Sequence, residues 1–542
     1  MLTTHMTMYQ AFYEVAEARQ KQPAIVCGNT RYTYGELLDR VQHLSAGLHS
    51  QGIHKGDRVA VMLPPGPDFA TLFFALAQIG AVILPLNPQL RARSLGQVLG
   101  DAEPIMLVVE HPLEQDSLSL PASLRYIVFT GQVEGSTLTL DALVARGISG
   151  GAPAQAVAPE DLLALLYTSG TTGIPKGTMH SHRSLIAPVV ASMKIRDLWL
   201  KHPNLKTIGQ TAVALARYKT RLLRVAGKPQ VFLSTVGWHS ITGIEVMLQA
   251  LVMGDTIVVE QHFHPRLTMQ LIDKEKVTIL VAMPTSYLAI FSLDDFDRYD
   301  TSSMLIAGTG AMPCAPELGR QIQERFGCAL HIGFGSTEMA GGVAIPSIGD
   351  SLERQATTVG KPLPGVEMKI VDEARHELPV GQVGELLCRG EMLMQGYYRA
   401  PQATSDVIDA DGWYATGDLG RLDEKGYLHI MGRKKDLIIR SGQNIYPAEI
   451  EAYLVTHPSI QEAAVVGIPS PISGEEVWAF IITKPGTELT ARQVLDFCRQ
   501  ELEIYKIPSQ VRFVDDYPRT ELGKPQKYLI KEAIMAEIGK DK

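Results

Sequence analysis

Cysteine is scarce and scattered in this sequence. Five of 542 residues are cysteine, Cys27, Cys314, Cys328, Cys388 and Cys498. Their wide separation, with no CxxC or Cys/His ligand spacing, excludes a structural zinc site and points to a reducing, cytoplasmic compartment. Positive charge is also short. Fifty Lys and Arg against 58 Asp and Glu give a formal net charge of −8, whereas a nucleic-acid binder carries a basic footprint. No repeat of fixed short period and no low-complexity linker is present, so nothing points to a repeat array. Glu14 and Glu17 come early and no basic segment leads into an apolar run, so a secretory leader is not expected. The long apolar stretch at 69–86 is interrupted by Gln78, Gly80 and Pro85. It reads as a buried helix ending near Gly80 followed by a strand at 81–84, and not as a membrane span.

What is present is the composition of a soluble globular protein, 45% hydrophobic and 20% charged. The length exceeds one ordinary core and implies two or more domains. Thr33-Tyr34-Gly35-Glu36 is a capping box, opening a helix with Leu37, Leu38, Val41, Leu44 and Leu48 on one face. Strands are expected at 57–63, 105–109, 126–129, 162–166, 256–259, 279–281, 304–306 and 330–332. Helices between them argue for an α/β architecture with a largely parallel sheet. From about residue 365 the texture changes to Gly-punctuated short strands at 367–371, 384–388 and 426–430. After Gly432-Arg433-Lys434-Lys435-Asp436 comes an ending of about a hundred residues, the size of a separate small domain. Helices are expected there at 447–455 and 491–502, with strands at 463–466 and 478–482. The boundary falls at Lys435, giving domains 1–434 and 435–542.

Residues 194–228 hold nine Lys and Arg and one acid, Asp197, with Arg217, Arg221 and Arg224 at helical spacing. A solvated helix face is the expectation. A contact for the phosphates of a nucleotide-type cosubstrate, or for an acidic membrane surface at the periphery, is the alternative.

Four strings carry the chemistry. Tyr167-Thr168-Ser169-Gly170-Thr171-Thr172-Gly173-Ile174-Pro175-Lys176-Gly177-Thr178 follows an apolar strand and surrounds one lysine with glycines and hydroxyls, the makings of a phosphate grip. It is not a Walker A loop, because Pro175 stands where that motif needs glycine. Such a loop is in general only a turn. Gly333-Phe334-Gly335-Ser336-Thr337-Glu338 lets a flat base approach the backbone and offers a carboxylate to a hard cation. Asp418 and Arg433 together suit two vicinal hydroxyls, although a turn aspartate is the plain reading. Lys524, in Pro518-Arg519-Thr520-Glu521-Leu522-Gly523-Lys524, reads plainly as a solvated terminal lysine.

Together these strings resemble the adenylate-forming superfamily of acyl-CoA synthetases, peptide-synthetase adenylation domains and luciferases, over nearly the whole chain and in family order. The resemblance implies a large N-terminal domain of α/β subdomains plus a small β-barrel-like part, followed by a small mobile α+β C-terminal domain. It implies an AMP-forming carboxylate–CoA ligase: ATP and Mg²⁺ activate an apolar carboxylic acid, a fatty acid foremost, to an acyl-adenylate that passes to coenzyme A. A stand-alone adenylation enzyme that loads a carrier protein is the alternative. By the same resemblance ATP is held by Thr168, Ser169, Gly170, Thr171, Thr172, Gly173, Lys176, Gly308, Gly310, Gly333, Phe334, Gly335, Thr337, Glu338, Asp418, Arg433 and Lys524. Glu338 and Thr168 hold Mg²⁺. Lys524, with Thr168, Glu338 and His239, is catalytic, bridging the substrate carboxylate and the α-phosphate.

Gly237-Trp238-His239-Ser240-Ile241-Thr242-Gly243 matches the segment lining the acyl pocket, although Val236 and Gly237 replace the usual leading residues. The pocket is then Trp238, His239, Ile241, Gly243, Gly308, Gly335, Met339, Ala340 and Gly341. The aspartate that amino-acid-activating relatives carry hereabouts is missing between Val236 and Gly243, and Glu245 is the nearest acid. Lys435 takes the hinge position, and Ser441, Gly442 and Gln443 form the face that passes a pantetheine arm. A monomer or homodimer without a transmembrane segment is expected.

Overall fold

The computed structural model describes residues 2–113, 119–131, 138–148, 156–168, 176–200, 205–225, 227–520 and 523–540. Two seven-stranded sheets share one continuous core. The first runs in the order Ala329–Ile332, Ile306–Thr309, Ile279–Val281, Val231–Ser234, Thr256–Val259, Pro23–Cys27, Thr30–Thr33, parallel except for the last pair. The second runs Gly396–Tyr397, Lys176–Ser181, Leu162–Thr168, Val82–Pro85, Arg58–Met62, Met106–Val109, Tyr126–Phe129. It is parallel except that Lys176–Ser181 opposes both its neighbours. Parallel strands are covered on both faces, and every residue of Val82–Pro85 and Met106–Val109 is buried.

The helices fill the core. The capping box forms as the sequence predicts, with Thr33 opening the helix Tyr34–Ser50 and its Oγ1 accepting from Glu36 N. The helix Pro67–Ile79 stops at Gly80, whose φ of 71° lets its N–H close on Leu76 O before the strand begins. Its Phe74 stacks on Phe12 of the helix Met8–Ala18 at 4.1 Å. Burying each such ring contributes about 1.5–3 kcal/mol. Among the described residues no helix is long and apolar enough to cross a membrane. The strand expected at 304–306 begins instead at Ile306, because Met304 N closes a turn onto Thr301 O.

The glycine-punctuated stretch forms an antiparallel sheet of Val366–Val371, Gly384–Gly390, Tyr414–Leu422 and Leu428–Arg433. Beyond the turn Lys434–Asp436, a five-stranded sheet with the helices Pro447–Leu454, Ala491–Glu501 and Lys527–Lys540 has its own core clusters.

The arginine stripe is solvated in part: Arg217 and Arg224 are exposed, while Arg221 is half-buried. The helix Leu205–Val225, kinked at Tyr218, lies against the edge of the first sheet. Arg217 donates to Asp350 O at 2.9 Å, Arg221 to Thr301 O at 3.2 Å and to Met304 O, and Arg224 to Ser302 O at 3.1 Å. These guanidinium groups add hydrogen bonds to turn carbonyls, Thr301 O accepting from Arg221 as well as from Met304 N.

Candidate active site

A cleft of about 2740 Å³ is lined from both sides, by Lys176, His239, Gly308, Glu338, Asp418 and Arg433 of the larger part and by Lys524 of the C-terminal part. It opens at the carboxyl ends of parallel strands, where ligands bind in open α/β sheets.

On one wall, the strand Leu162–Thr168 ends where the glycine- and hydroxyl-rich sequence begins, and Lys176 opens the next strand. Ser169, Gly170, Thr171, Thr172 and Gly173, and the side chain of Thr168, lie outside the described residues. Tyr167 anchors the strand by donating to Asp101. Lys176 Nζ stands 5.3 Å from the centroid of the Tyr397 ring, and the Tyr397 hydroxyl donates to Glu338 Oε1 at 2.8 Å. The carbonyl just before Glu338, that of Thr337, meets His180 Nε2 at 2.8 Å, with Nδ1 3.2 Å from Ser184 Oγ. Burial pulls the His180 imidazole down to about 4, so it is neutral at physiological pH and works as a hydrogen-bonding strut. Tyr397 and His180 escape sequence reasoning because each is far along the chain from its partner, Glu338 for Tyr397 and the Thr337 carbonyl for His180; pairing of Gly396 with Met179 and Tyr397 with Thr178 brings their two strands together.

Among the described residues no group of three or more His, Cys, Asp or Glu could hold a metal by themselves. Glu338 nevertheless fits Mg²⁺: a hard carboxylate held at one oxygen by a phenol, on a cleft large enough for a triphosphate, which would furnish further oxygen ligands.

On the opposite wall, Gly335 packs so closely on the neighbouring strand that a Cβ there would come within 2.0 Å of Gly341 O, so no other residue fits. Gly310 likewise sits against Gly333 O. These glycines flank a slot beside Phe334. Asp418 and Arg433 are cross-strand partners, with Arg433 Nε 2.7 Å from Asp418 Oδ1. Burial raises the Asp418 carboxyl, while Arg433 and Lys524 oppose that rise. Lys524 is enclosed beside the same groups, and burial, with Arg433, lowers its ammonium. Its loop is held by Lys524 N donating to Thr520 Oγ1 at 3.1 Å and Thr520 N donating to Lys524 O at 2.8 Å. Lys524 is therefore no solvated terminal charge.

The acyl segment divides. His239, Ile241, Gly308, Gly335 and Gly341 line the cleft. Trp238, Met339 and Ala340 do not: they belong to the main core, where Trp238 packs edge-on against Phe69 at 5.7 Å. Gly243 is likewise spent on packing, since a Cβ there would meet Gly237 O at 2.2 Å. The His239 ring lies over Gly237, leaving no room for a side chain at that position, which accounts for the glycine. Glu245, passed over in the sequence as merely the nearest acid, also lines the cleft. Lys435 borders it from the connecting turn. Ser441, Gly442 and Gln443 sit in an exposed hairpin turn, with φ of 51° and 79° at the first two, and face away from it.

Comparison with known proteins agrees with this geometry. The AMP-binding enzyme family matches residues 12–398, and the AMP-binding enzyme C-terminal domain matches residues 449–524. The mitochondrial medium-chain acyl-CoA ligase of Mus musculus is 32% identical, covering 93% of this chain and 83% of its own length. A feruloyl-CoA synthase of Amycolatopsis is 30% identical, covering 92% and 94%. The ATP-bound crystal structure of MatB from Rhodopseudomonas palustris superposes with a TM-score of 0.79 at 27% identity, covering 97% and 99%.

Proposed function

Because the chain belongs to the AMP-binding enzyme family, we propose that its cleft joins a carboxylic acid to coenzyme A in two steps driven by ATP. A carboxylate is a poor electrophile. In the first step a carboxylate oxygen attacks the α-phosphorus of ATP, the α–β anhydride bond breaks, and pyrophosphate leaves. In the second, the thiol sulfur of CoA attacks the acyl carbon, the thiol proton is lost, and AMP leaves with the bonding pair. The observation that carries this reading is the convergence, in one cleft, of Glu338 braced by Tyr397, the Asp418–Arg433 pair, and Lys524 from the other domain.

The residues divide the labour. Lys176 and the hydroxyls from Thr168 to Thr172 steady the β- and γ-phosphates. Glu338, with Thr168, holds Mg²⁺, which when bound neutralises the phosphate oxygens. Asp418 accepts from the ribose hydroxyls and Arg433 holds Asp418 in place. Lys524 reaches both the carboxylate and the α-phosphate, offsetting the charge that builds on pentavalent phosphorus, where a preorganised cation contributes several kcal/mol. The division at 434/435 makes Lys435 the hinge. A rotation there withdraws Lys524 and brings the Ser441–Gly442–Gln443 turn toward the cleft for the thiol step.

The acid we favour is apolar, a fatty acid foremost, and the acceptor CoA; a carrier-protein phosphopantetheine is the alternative. All five cysteines are free thiols, which supports a cytoplasmic, reducing setting. The test is pyrophosphate release with ATP and Mg²⁺ across fatty, aryl and amino acids, each with and without CoA. Sustained turnover only with CoA, yielding AMP and a thioester, is expected. A single burst that CoA cannot extend points to the carrier protein, and no pyrophosphate with any acid defeats the proposal.

A further inference from the structure

The helix Ile241–Met253 is buried and apolar apart from Gly243 and three polar side chains, Thr242, Glu245 and Gln249. These stand at i, i+3 and i+7, so they share one face, and that face lines the cleft. Carboxylates are seldom set into an apolar wall, because losing water is costly unless a partner replaces it. Glu245 is only partly furnished with partners. Gly342 N donates to Oε2 at 3.0 Å and Gln249 Nε2 donates to Oε1 at 3.0 Å. Each carboxylate oxygen can accept two hydrogen bonds, so each keeps room for another. No cation is among the groups acting on it, and the backbone opposite is trimmed to suit: a Cβ at Gly341 would come within 2.2 Å of Oε2.

We propose that Glu245, backed by Gln249, is a specificity station in the acyl wall that accepts a hydrogen bond from a hydroxyl or amino group carried on the otherwise apolar acid, away from its reacting carboxylate. The inference rests on the ligase reading of the cleft. Glu245 and Gln249 lie about 6 Å and 12 Å along the helix axis from Ile241. The preferred acid therefore bears its donor partway along its length. Past Gln249 the cleft continues to Met253, Asp255, Arg19 and Arg196, so the station stands in the wall of a passage. Enclosure pushes the Glu245 carboxyl up to about 7, against the pull of the Gly342 N–H. Near neutral pH it is therefore readily held as a neutral acceptor–donor group and does not demand a counter-charge.

The test uses pairs of acids of equal length that differ by one hydroxyl or amino group, with that group stepped along the chain. Each acid is titrated calorimetrically against the full chain without nucleotide, and assayed for pyrophosphate release with ATP and Mg²⁺. The wild type is expected to favour the donor-bearing acid by about tenfold or more at one position of the series, and Glu245→Gln to bring that ratio below about threefold. Glutamine keeps an acceptor for Gly342 N, so the variant retains the local frame, and Gln249→Leu gives an independent reduction. Equal affinity within every wild-type pair overturns the proposal, and so does a preference that survives both substitutions. Selective binding without pyrophosphate release from any acid leaves the station standing and removes the ligase reading.

Discussion

The Tyr397 hydroxyl donates to Glu338 Oε1 at 2.8 Å while Lys176 Nζ stands 5.3 Å from the centre of the same ring. One phenol thus stands against both the candidate metal-binding carboxylate and the lysine that follows the glycine- and hydroxyl-rich sequence. Removing the hydroxyl alone, in Tyr397→Phe, keeps the ring beside Lys176 but frees the carboxylate. A hydrogen bond to a charged group is worth about 1.5–3 kcal/mol, so kcat/KM for ATP should fall roughly 10- to 100-fold, with more Mg²⁺ needed for half-maximal rate. Titrating Mg²⁺ in the pyrophosphate assay checks this. An unchanged Mg²⁺ requirement would remove Tyr397 as the positioning residue.

Lys524 is enclosed beside Asp418 and Arg433, and is proposed to act in the adenylation step. Lys524→Ala is expected to reduce adenylate formation by about 10²–10³-fold, the scale of losing one preorganised charge at the reacting centre. Thioester formation from supplied acyl-AMP should be nearly unchanged if, as proposed, the lysine is withdrawn from the cleft in that step. Equal loss in both half-reactions would sink the assigned role.

Lys435 follows Lys434, which is tied to Glu385 at 2.8 Å, so the fixed end of the proposed hinge lies immediately before it. Proline at 435 locks φ. Lys435→Pro should leave acid-dependent pyrophosphate release within about threefold of wild type while lowering CoA transfer by 10²-fold or more, the pattern of a blocked conformational step. Single-turnover assays of each half-reaction separate the two. Normal transfer would place the hinge elsewhere.

The fold was largely legible because parallel strands buried on both faces are written as unbroken apolar runs. Thr256–Val259 and Ile279–Val281 are read to the residue, and the helix stop at Gly80 is encoded in one glycine. That Gly335, Asp418 and Lys524 belong to one site was legible for another reason: they sit in short contiguous strings, and all three line the cleft. Tyr397 bonds Glu338, and His180 the Thr337 carbonyl beside it, from far along the chain, which no local pattern records. Trp238 and Met339 mislead because a motif names neighbours without saying which way each side chain points. In the turn before the helix Ile241–Met253, His239 lines the cleft while Trp238 packs into the core. The arginine stripe is read only in part: Arg217 and Arg224 are exposed as expected, but helical spacing does not show that Arg221 between them is half-buried on a turn.

Arg221 illustrates that last point and can be tested. It donates to Thr301 O and Met304 O, and burial lowers its guanidinium. Arg221→Ala removes both bonds, leaving Thr301 O with the Met304 N–H alone, and should lower unfolding stability by about 1–3 kcal/mol. The KM for CoA and binding to anionic vesicles should not change. A raised KM for CoA with unchanged stability would restore the phosphate-contact reading.

Glu245 gives a pH signature independent of catalysis. Its carboxyl is raised to about 7 by enclosure, whereas an unfolded glutamate titrates near 4.3. Below the unfolded value both states are protonated and the residue costs nothing. Between about 4.3 and 7 the unfolded chain gives up its proton first, binds fewer protons than the folded chain, and so wild-type stability falls as pH rises through this window. Glutamine does not titrate. Glu245→Gln should therefore gain on the wild type by about 1–2 kcal/mol between pH 5 and pH 8, a value discounted because part of the carboxyl opens onto the cleft. All other titrating groups cancel in the difference between the two proteins. Urea unfolding at both pH values measures it. A pH-independent difference would mean that the carboxylate is ionised in the folded protein at neutral pH and that some cation faces it.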